Sequence, residues 1–253
     1  MGFFMKIVQL CWRRLSVALS YLSVLGVALV ALSLAFSITV RTVFGGEYAE
    51  VMADAASPTV VIDAGHGGED VGAIGINGVY EKDLNLSYAV TLGEMLASEG
   101  YTVFYTRTED RLLYTEEENI KGMRKIYDLK NRASFTNEKS PFFLISIHMN
   151  HYSVEKYHGF EIYYAEQSTT SQRLAYDISD EVKASVVDAG NRTPKATEEL
   201  YLLSNVSCPA VLVECGFLSN AAECERLCEK EYEKQLCFSI VCGMIKYENR
   251  ADS

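Results

Sequence analysis

The chain has 253 residues, with 34 acidic side chains against 23 basic ones and a formal charge of −11 at pH 7. That length suits one ordinary domain plus an appendage, and the acidic balance lacks the basic footprint of a nucleic-acid binder. The first 46 residues hold four cations (Lys6, Arg13, Arg14 and Arg41) and no Asp or Glu, leaving 19 basic and 34 acidic side chains beyond them. A field of that sign does not draw in a polyanion, so an anionic substrate would have to be recognised locally.

Leu15 to Val40 is an uncharged run of 26 residues. A membrane-crossing helix needs about 20 residues, and a signal-peptide core is usually about 7–15. An uncleaved anchor is therefore expected within residues 1–45. Its N-terminus should be cytoplasmic, because Lys6, Arg13 and Arg14 precede the run and only Arg41 follows it. Ala53-Asp54-Ala55 would suit a signal peptidase but lies far past the run. Residues 46–57, small and acidic, read as a flexible linker, and a catalytic domain is expected over 58–249. Of seven cysteines, Cys11 precedes the apolar run and six lie in the last quarter: Cys208, Cys215, Cys224, Cys228, Cys237 and Cys242. An exported domain with an even count invites disulfides. The apolar surroundings of Cys215, Cys237 and Cys242 favour free, buried thiols.

Within the domain, Thr59 to Ile62 is a β-branched run that reads as a buried strand. It ends in Asp63-Ala64-Gly65-His66-Gly67-Gly68, a glycine-rich turn carrying a histidine. After a loop to Tyr80, Asp83 is the expected N-cap of a helix with Leu86, Ala89, Val90, Met95 and Leu96 at helical spacing, closed by Gly100. Tyr101 to Thr106 reads as a strand. Glu116 to Glu138 reads as a helix burying Ile120, Met123, Ile126, Tyr127 and Leu129. Phe142 to Ile147 is an apolar strand ending in His148-Met149-Asn150. Gly159 to Tyr164 reads as strand, Ser168 to Val187 as helix, Asn191 to Glu198 as loop and Tyr201 to Leu203 as a short strand. Ala210 to Val213, ending in Glu214-Cys215-Gly216, is the last core strand, and two helices follow. Strands alternating with helices indicate an α/β fold: one twisted, mostly parallel sheet covered by helices on both faces.

Three core strands thus end in His66, His148 and Glu214, where open α/β sheets place their sites. Glu81, before a helix start, is a fourth candidate. Taken alone, Glu81 also reads as a helix-dipole partner and Glu214 as a structural ion-pair partner. Together, two imidazoles and a carboxylate form a catalytic zinc set with one open position. A zinc ion there lowers the pKa of a bound water and polarises a carbonyl, and Glu214 is the candidate proton carrier. His151 and His158 sit on a loop and read as solvated.

Five motifs in order carry a resemblance over Thr59 to Tyr247: Val61-Ile62-Asp63-Ala64-Gly65-His66-Gly67-Gly68 with Asp70 and Gly72-Ala73; Glu81-Lys82-Asp83-Leu84-Asn85-Leu86; Thr106-Arg107 with Asp110; Ser146-Ile147-His148-Met149-Asn150; and Leu212-Val213-Glu214-Cys215-Gly216-Phe217-Leu218-Ser219-Asn220. The domain resembles the zinc-dependent N-acetylmuramoyl-L-alanine amidases of the amidase-3 type. The resemblance implies Zn2+ on His66, Glu81 and His148, catalysis by Glu214, and hydrolysis of the amide joining N-acetylmuramic acid to L-alanine in peptidoglycan. Asp70, Arg107 and Asn150 are candidates for orienting substrate or supporting the ligands. Within the family the chain is most similar to the CwlD-type, germination-specific amidases of spore formers, on three features. These are the single anchor without wall-binding repeats, the helix Arg124 to Arg132, and Asn191-Arg192-Thr193-Pro194-Lys195 leading to Tyr201-Leu202-Leu203. That branch implies a role in spore cortex maturation, through muramic δ-lactam formation, and an extracytoplasmic, membrane-anchored domain. The loop from His148 to Gly159 is too short for a large autoinhibitory insertion, so control is expected from expression or from a partner such as an activating lipoprotein. Competing expectations are another cell-wall zinc peptidase or amidohydrolase, and a membrane-anchored wall-binding protein without catalysis.

Overall fold

A computed structural model describes residues 57–251. The expected anchor at Leu15–Val40, Cys11 and the linker up to residue 56 lie outside the described residues. Among the described residues no helix is long and apolar enough to cross a membrane.

Six strands form one sheet: β1 (Thr59–Ala64), β2 (Thr102–Tyr105), β3 (Phe143–Asn150), β4 (Glu161–Ala165), β5 (Lys195–Thr197) and β6 (Ala210–Phe217), in the order β2-β1-β3-β6-β4-β5. The pairs β1–β2, β1–β3, β3–β6 and β4–β5 are parallel, whereas β4–β6 is antiparallel. The sheet is therefore mixed, though mostly parallel as expected. Residues 151–160, which join β3 to β4, are fewer than the dozen or so that a parallel crossover requires. The chain accordingly returns in the opposite direction.

Helices cover both faces. On one side α1 (Glu81–Ser98), α3 (Thr169–Ser185), α5 (Ala221–Leu227) and α6 (Lys230–Ala251) enclose Val60, Ile62, Ile145, Ile147, Val211 and Val213 together with Tyr88, Leu92, Leu174, Ile178, Leu236 and Ile240. On the other side α2 (Arg124–Lys139) and the single turn α4 (Tyr201–Ser204) cover Val61, Leu144 and Leu212 with a smaller cluster. The six described cysteines are free, and Cys215, Cys224 and Cys237 are buried.

Several elements depart from the sequence expectation for identifiable reasons. Helix α1 starts at Glu81, not after Asp83, because backbone carbonyls of the preceding loop cap it: Glu81 N donates to Ala73 O and Lys82 N to Val71 O. That start turns Leu84, Tyr88 and Leu92 into the core, while Leu86 and Met95 are only partly buried. Tyr201 to Leu203 forms a helical turn, and the edge strand falls instead at Lys195–Thr197.

The largest departure is α2. The helix begins at Arg124 and not at Glu116, so Ile120 and Met123 precede it and are exposed at 49% and 38%; within it Ile126 points outward at 44%, while Asp128, Arg132, Ala133 and Thr136 are buried. The reason is a buried charge network. Arg132 donates to Asp63 Oδ1 at 2.6 Å through Nη1 and to Asp128 Oδ2 at 2.8 Å through Nε. Its remaining donors reach Ala64 O and His66 O, both at 2.7 Å. Asp63 is completed by the hydroxyls of Thr106 and Ser146. Burial alone would raise the Asp63 pKa, but Arg132 and the two hydroxyls outweigh it and hold it at about 2.

Removing one partner of such a network strands the other charge in the interior. Arg132→Leu is expected to lower stability by about 3–5 kcal/mol, read as a shift of the denaturant midpoint at unchanged slope. Because its folded-state pKa is depressed, Asp63 contributes fully above its ordinary value of 3.8 and loses that contribution as pH falls toward 2. Wild type should therefore lose stability across this window, and Asp63→Asn should flatten that part of the profile.

Candidate active site

The strand ends expected to carry chemistry do converge. The ladder between β3 and β6 continues beyond the apolar residues, pairing His148 with Glu214, and then shifts register before Asn150 meets Phe217. His148, Asn150 and Glu214 thus lie inside strands, beside a β-bulge, a feature that commonly re-aims side chains near sites. The β1 turn brings His66 to the same end.

His66 has a φ of 61°, in the left-handed region that few non-glycine residues occupy. The carbonyls around it are held from behind. Arg107 is buried and donates to Ala64 O, Gly65 O, Lys82 O and Glu109 O. Arg132 takes His66 O, and Asn85 Nδ2 donates to Gly65 O. Gly65 itself is required by close approach, since a Cβ there would run into the His148 ring. Lys82 and Asp110 brace the far side of the turn, with Lys82 Nζ on Gly68 O and Asp110 Oδ2 and Gly68 N on Asp110 Oδ1.

Glu81 stands between the two histidines. Its Oε1 is 3.1 Å from His66 Nε2 and 3.0 Å from His148 Nδ1. Oε2 accepts from Ala73 N at 2.8 Å. Gly72 has a φ of 68°, and a Cβ on it would strike the Glu81 carboxylate, which accounts for the Gly72-Ala73 step. His66 Nδ1 meets Asp70 Oδ2 at 2.9 Å, and Lys125 Nζ lies 3.0 Å from the same oxygen. Asp70 thereby fixes the ring so that Nε2 faces Glu81, the arrangement by which carboxylates orient metal-binding histidines.

Burial would raise the Glu81 pKa, but the hydrogen bonds and charges of the two histidines hold it far below the usual carboxylate range. Burial would lower the His66 pKa, but Asp70 and Glu81 outweigh it and raise it to about 9. Glu214 behaves in the opposite way. Burial first, then the nearby carboxylates of Glu81 and Glu161, push it up to about 8. Among the described residues its Oε2 is buried without a hydrogen-bond partner.

The donor set fits a divalent metal. Two imidazole nitrogens and a carboxylate oxygen lie within 4.8 Å of one another, the composition of an open catalytic zinc site. A cation among them would also offset the crowding of negative charge around Glu214. Asn150 Nδ2 donates to Glu161 Oε2. His151 and His158 are exposed on the β3–β4 loop. The Asp63–Arg132–Asp128 network and Glu161 did not stand out in the sequence. Asp128 and Arg132 at i, i+4 were the one available signal for the first.

A metal taken up by these donors would have to displace a proton. With its pKa near 9, His66 holds a proton at pH 7 in the metal-free protein. Zinc binding at pH 7 is expected to release about one proton per ion from this residue, fading as pH rises through 9. Calorimetry in buffers of different ionisation enthalpy measures this. Asp70→Asn removes a raising contact and should move the fade to lower pH.

Comparison with known proteins agrees with this architecture. Residues 60–246 match the N-acetylmuramoyl-L-alanine amidase family of the amidase-3 type. The germination-specific N-acetylmuramoyl-L-alanine amidase of Bacillus subtilis is 32% identical over 188 residues, covering 74% of this chain and 78% of the relative. The CwlD amidase of Clostridioides difficile, solved in complex with the GerS lipoprotein, superposes with a TM-score of 0.73 at 36% identity, over 76% of this chain and 99% of the other. The catalytic domain of the amidase CwlV from Bacillus (Paenibacillus) polymyxa gives 0.66 at 28% identity, over 76% and 98%. The matched span contains five of the six strands whole and all but the first residue of β1, with the His66–Glu81–His148 cluster and Glu214, and the chain is an enzyme belonging to the N-acetylmuramoyl-L-alanine amidase family.

Proposed function

We propose that this chain is a zinc-dependent amidase that cuts the bond between the lactyl group of N-acetylmuramic acid and L-alanine, and that it acts in spore cortex maturation. The observation that carries the reading is the pairing of Glu214, with its unpartnered buried oxygen, beside the converging donors of His66, Glu81 and His148. Zinc bound by those three residues would supply a Lewis acid and a water of lowered pKa. Glu214 takes the proton from the attacking water and returns it to the departing alanine nitrogen; its pKa is raised in the metal-free site, and a cation on the three donors would draw it back toward the ionised form that the first transfer needs. Asp70 keeps the His66 ring oriented. Arg107 and Arg132 hold the carbonyls of the β1 turn, so the imidazole does not swing during turnover.

The cortex role rests on similarity to the germination-specific amidase of Bacillus subtilis. Similarity to the Clostridioides difficile amidase solved with GerS supports an activating lipoprotein partner for this chain too. The apolar run Leu15–Val40 supports a membrane tether with the catalytic domain outside the cytoplasm.

Two measurements test the reaction. Incubation with purified peptidoglycan should release stem peptides that begin with L-alanine, identified by mass spectrometry, and a chelator should abolish release until zinc is restored. Cuts inside the peptide would refute the bond assignment. Glu214→Gln should retain zinc while losing about 10²–10⁴-fold in kcat. A mutant that keeps near-normal turnover would remove Glu214 from the mechanism.

A further inference from the structure

Beside the proposed centre lies a second cavity, of about 390 Å³, lined by Asn150, Tyr152, Tyr157, Tyr163, Arg192 and Lys195 around Glu161. Glu161 is 6% exposed and is the register partner of Glu214 across β4–β6. Its oxygens are saturated. Oε1 meets Arg192 Nε at 2.7 Å, and Oε2 takes Lys195 Nζ at 3.0 Å, the Tyr163 hydroxyl at 2.7 Å and Asn150 Nδ2 at 3.1 Å. One carboxylate therefore anchors two cations. Arg192 also donates through Nη1 to His158 O and stacks on the Phe217 ring, 4.9 Å from its centroid. Lys195 Nζ also donates to the Tyr163 hydroxyl at 3.4 Å, so among the described residues Arg192 Nη2 and one proton of the half-exposed Lys195 are left for a ligand.

Such a site selects an anion. Tyr152 and Tyr157 pack edge to face, with centroids 5.1 Å apart, and give it an apolar wall. Lys195 Nζ reaches back to Glu161, one strand from Glu214, a lateral step of about 4.8 Å. A two-residue peptide leaving from the scissile amide extends about 7 Å, enough to bring an acidic second residue to these cations.

Resting on the amidase reading above, we propose that Arg192 and Lys195, positioned by Glu161, bind the free α-carboxylate of the stem peptide's second, acidic residue, so that the enzyme discriminates against peptides carrying a carboxamide there. The substrate then lies with its departing peptide directed toward β4 and β5.

The test uses the full-length chain supplied with zinc and two muramyl dipeptides that differ only in carboxylate or carboxamide at that position. Wild type should prefer the acid by about 10–100-fold in kcat/KM, mostly through KM, the range of a charge-assisted hydrogen bond. Lys195→Met should lower the ratio several-fold and Lys195→Arg should restore it. A wild type indifferent to the carboxylate, or a preference unchanged in Lys195→Met, would overturn the proposal. Calorimetry on Glu214→Gln with the free product dipeptides, acid and carboxamide, provides a readout independent of turnover. Carboxylate-dependent binding with cleavage of neither substrate would support the subsite, while the digestion of peptidoglycan decides the amidase reading separately. Equal binding of the two dipeptides would refute the subsite whatever the cleavage result.

Discussion

The structure depends on a buried cation at the carboxyl end of β1. Arg132 enters from α2 and is enclosed by Asp63 and Asp128, with the carbonyls of Ala64 and His66 taking its remaining donors. Burying a guanidinium is costly unless every donor is matched, and here both flanking carboxylates and the loop carbonyls match it. The turn that carries His66 therefore cannot relax without exposing that charge, which keeps a non-glycine residue in the left-handed region. Arg107 repeats the principle from the other side with four carbonyls and no carboxylate partner. Two arginines thus convert a flexible glycine-rich turn into a rigid mount.

The ionisable groups in front of that mount are arranged in opposition. Glu81 is held anionic by two imidazoles, and one imidazole is held cationic by two carboxylates. Glu214, paired with His148 across β3–β6, is pushed toward the neutral form first by burial and then by the same accumulation of negative charge. This polarity suits a site completed by a divalent cation. Binding would relieve the proton on His66 and the suppressed charge on Glu214 together, which ties assembly of the site to its readiness for proton transfer.

Much of the site was legible in the sequence because its residues end apolar strands, where hydropathy is unambiguous. His66, His148 and Glu214 follow Ile62, Ile147 and Val213, and the sheet brings all three to one edge. Helix α2 departs from the pattern expected of its sequence for a physical reason. Its sequence places apolar residues on the solvent side because its inward face must supply Asp128 and Arg132 to the turn, and periodicity assumes that the inward face is apolar. The start of α1 was placed too late because carbonyls distant in sequence cap it, so no side-chain signal marks the boundary. Glu161 was invisible because nothing local distinguishes an anchored carboxylate from a solvated one. Only the pairing of β4 with β6 reveals its neighbours.

The reversal of β4 has a consequence for how the enzyme can diverge. In a wholly parallel sheet, every strand presents its last residue at the reacting edge. Here β4 runs the other way and β5 follows it, so these two present their first residues, Glu161 and Lys195, to that edge. The wall beside the centre is consequently formed by segments that enter strands, 151–160 (which also leaves β3) and 186–194, while His66 is carried by a segment that leaves β1. Insertions or deletions in the entering segments remodel what the enclosure admits without altering the ladder beneath His148 and Glu214. Selectivity and reactivity are thereby inherited on different connections of the same sheet.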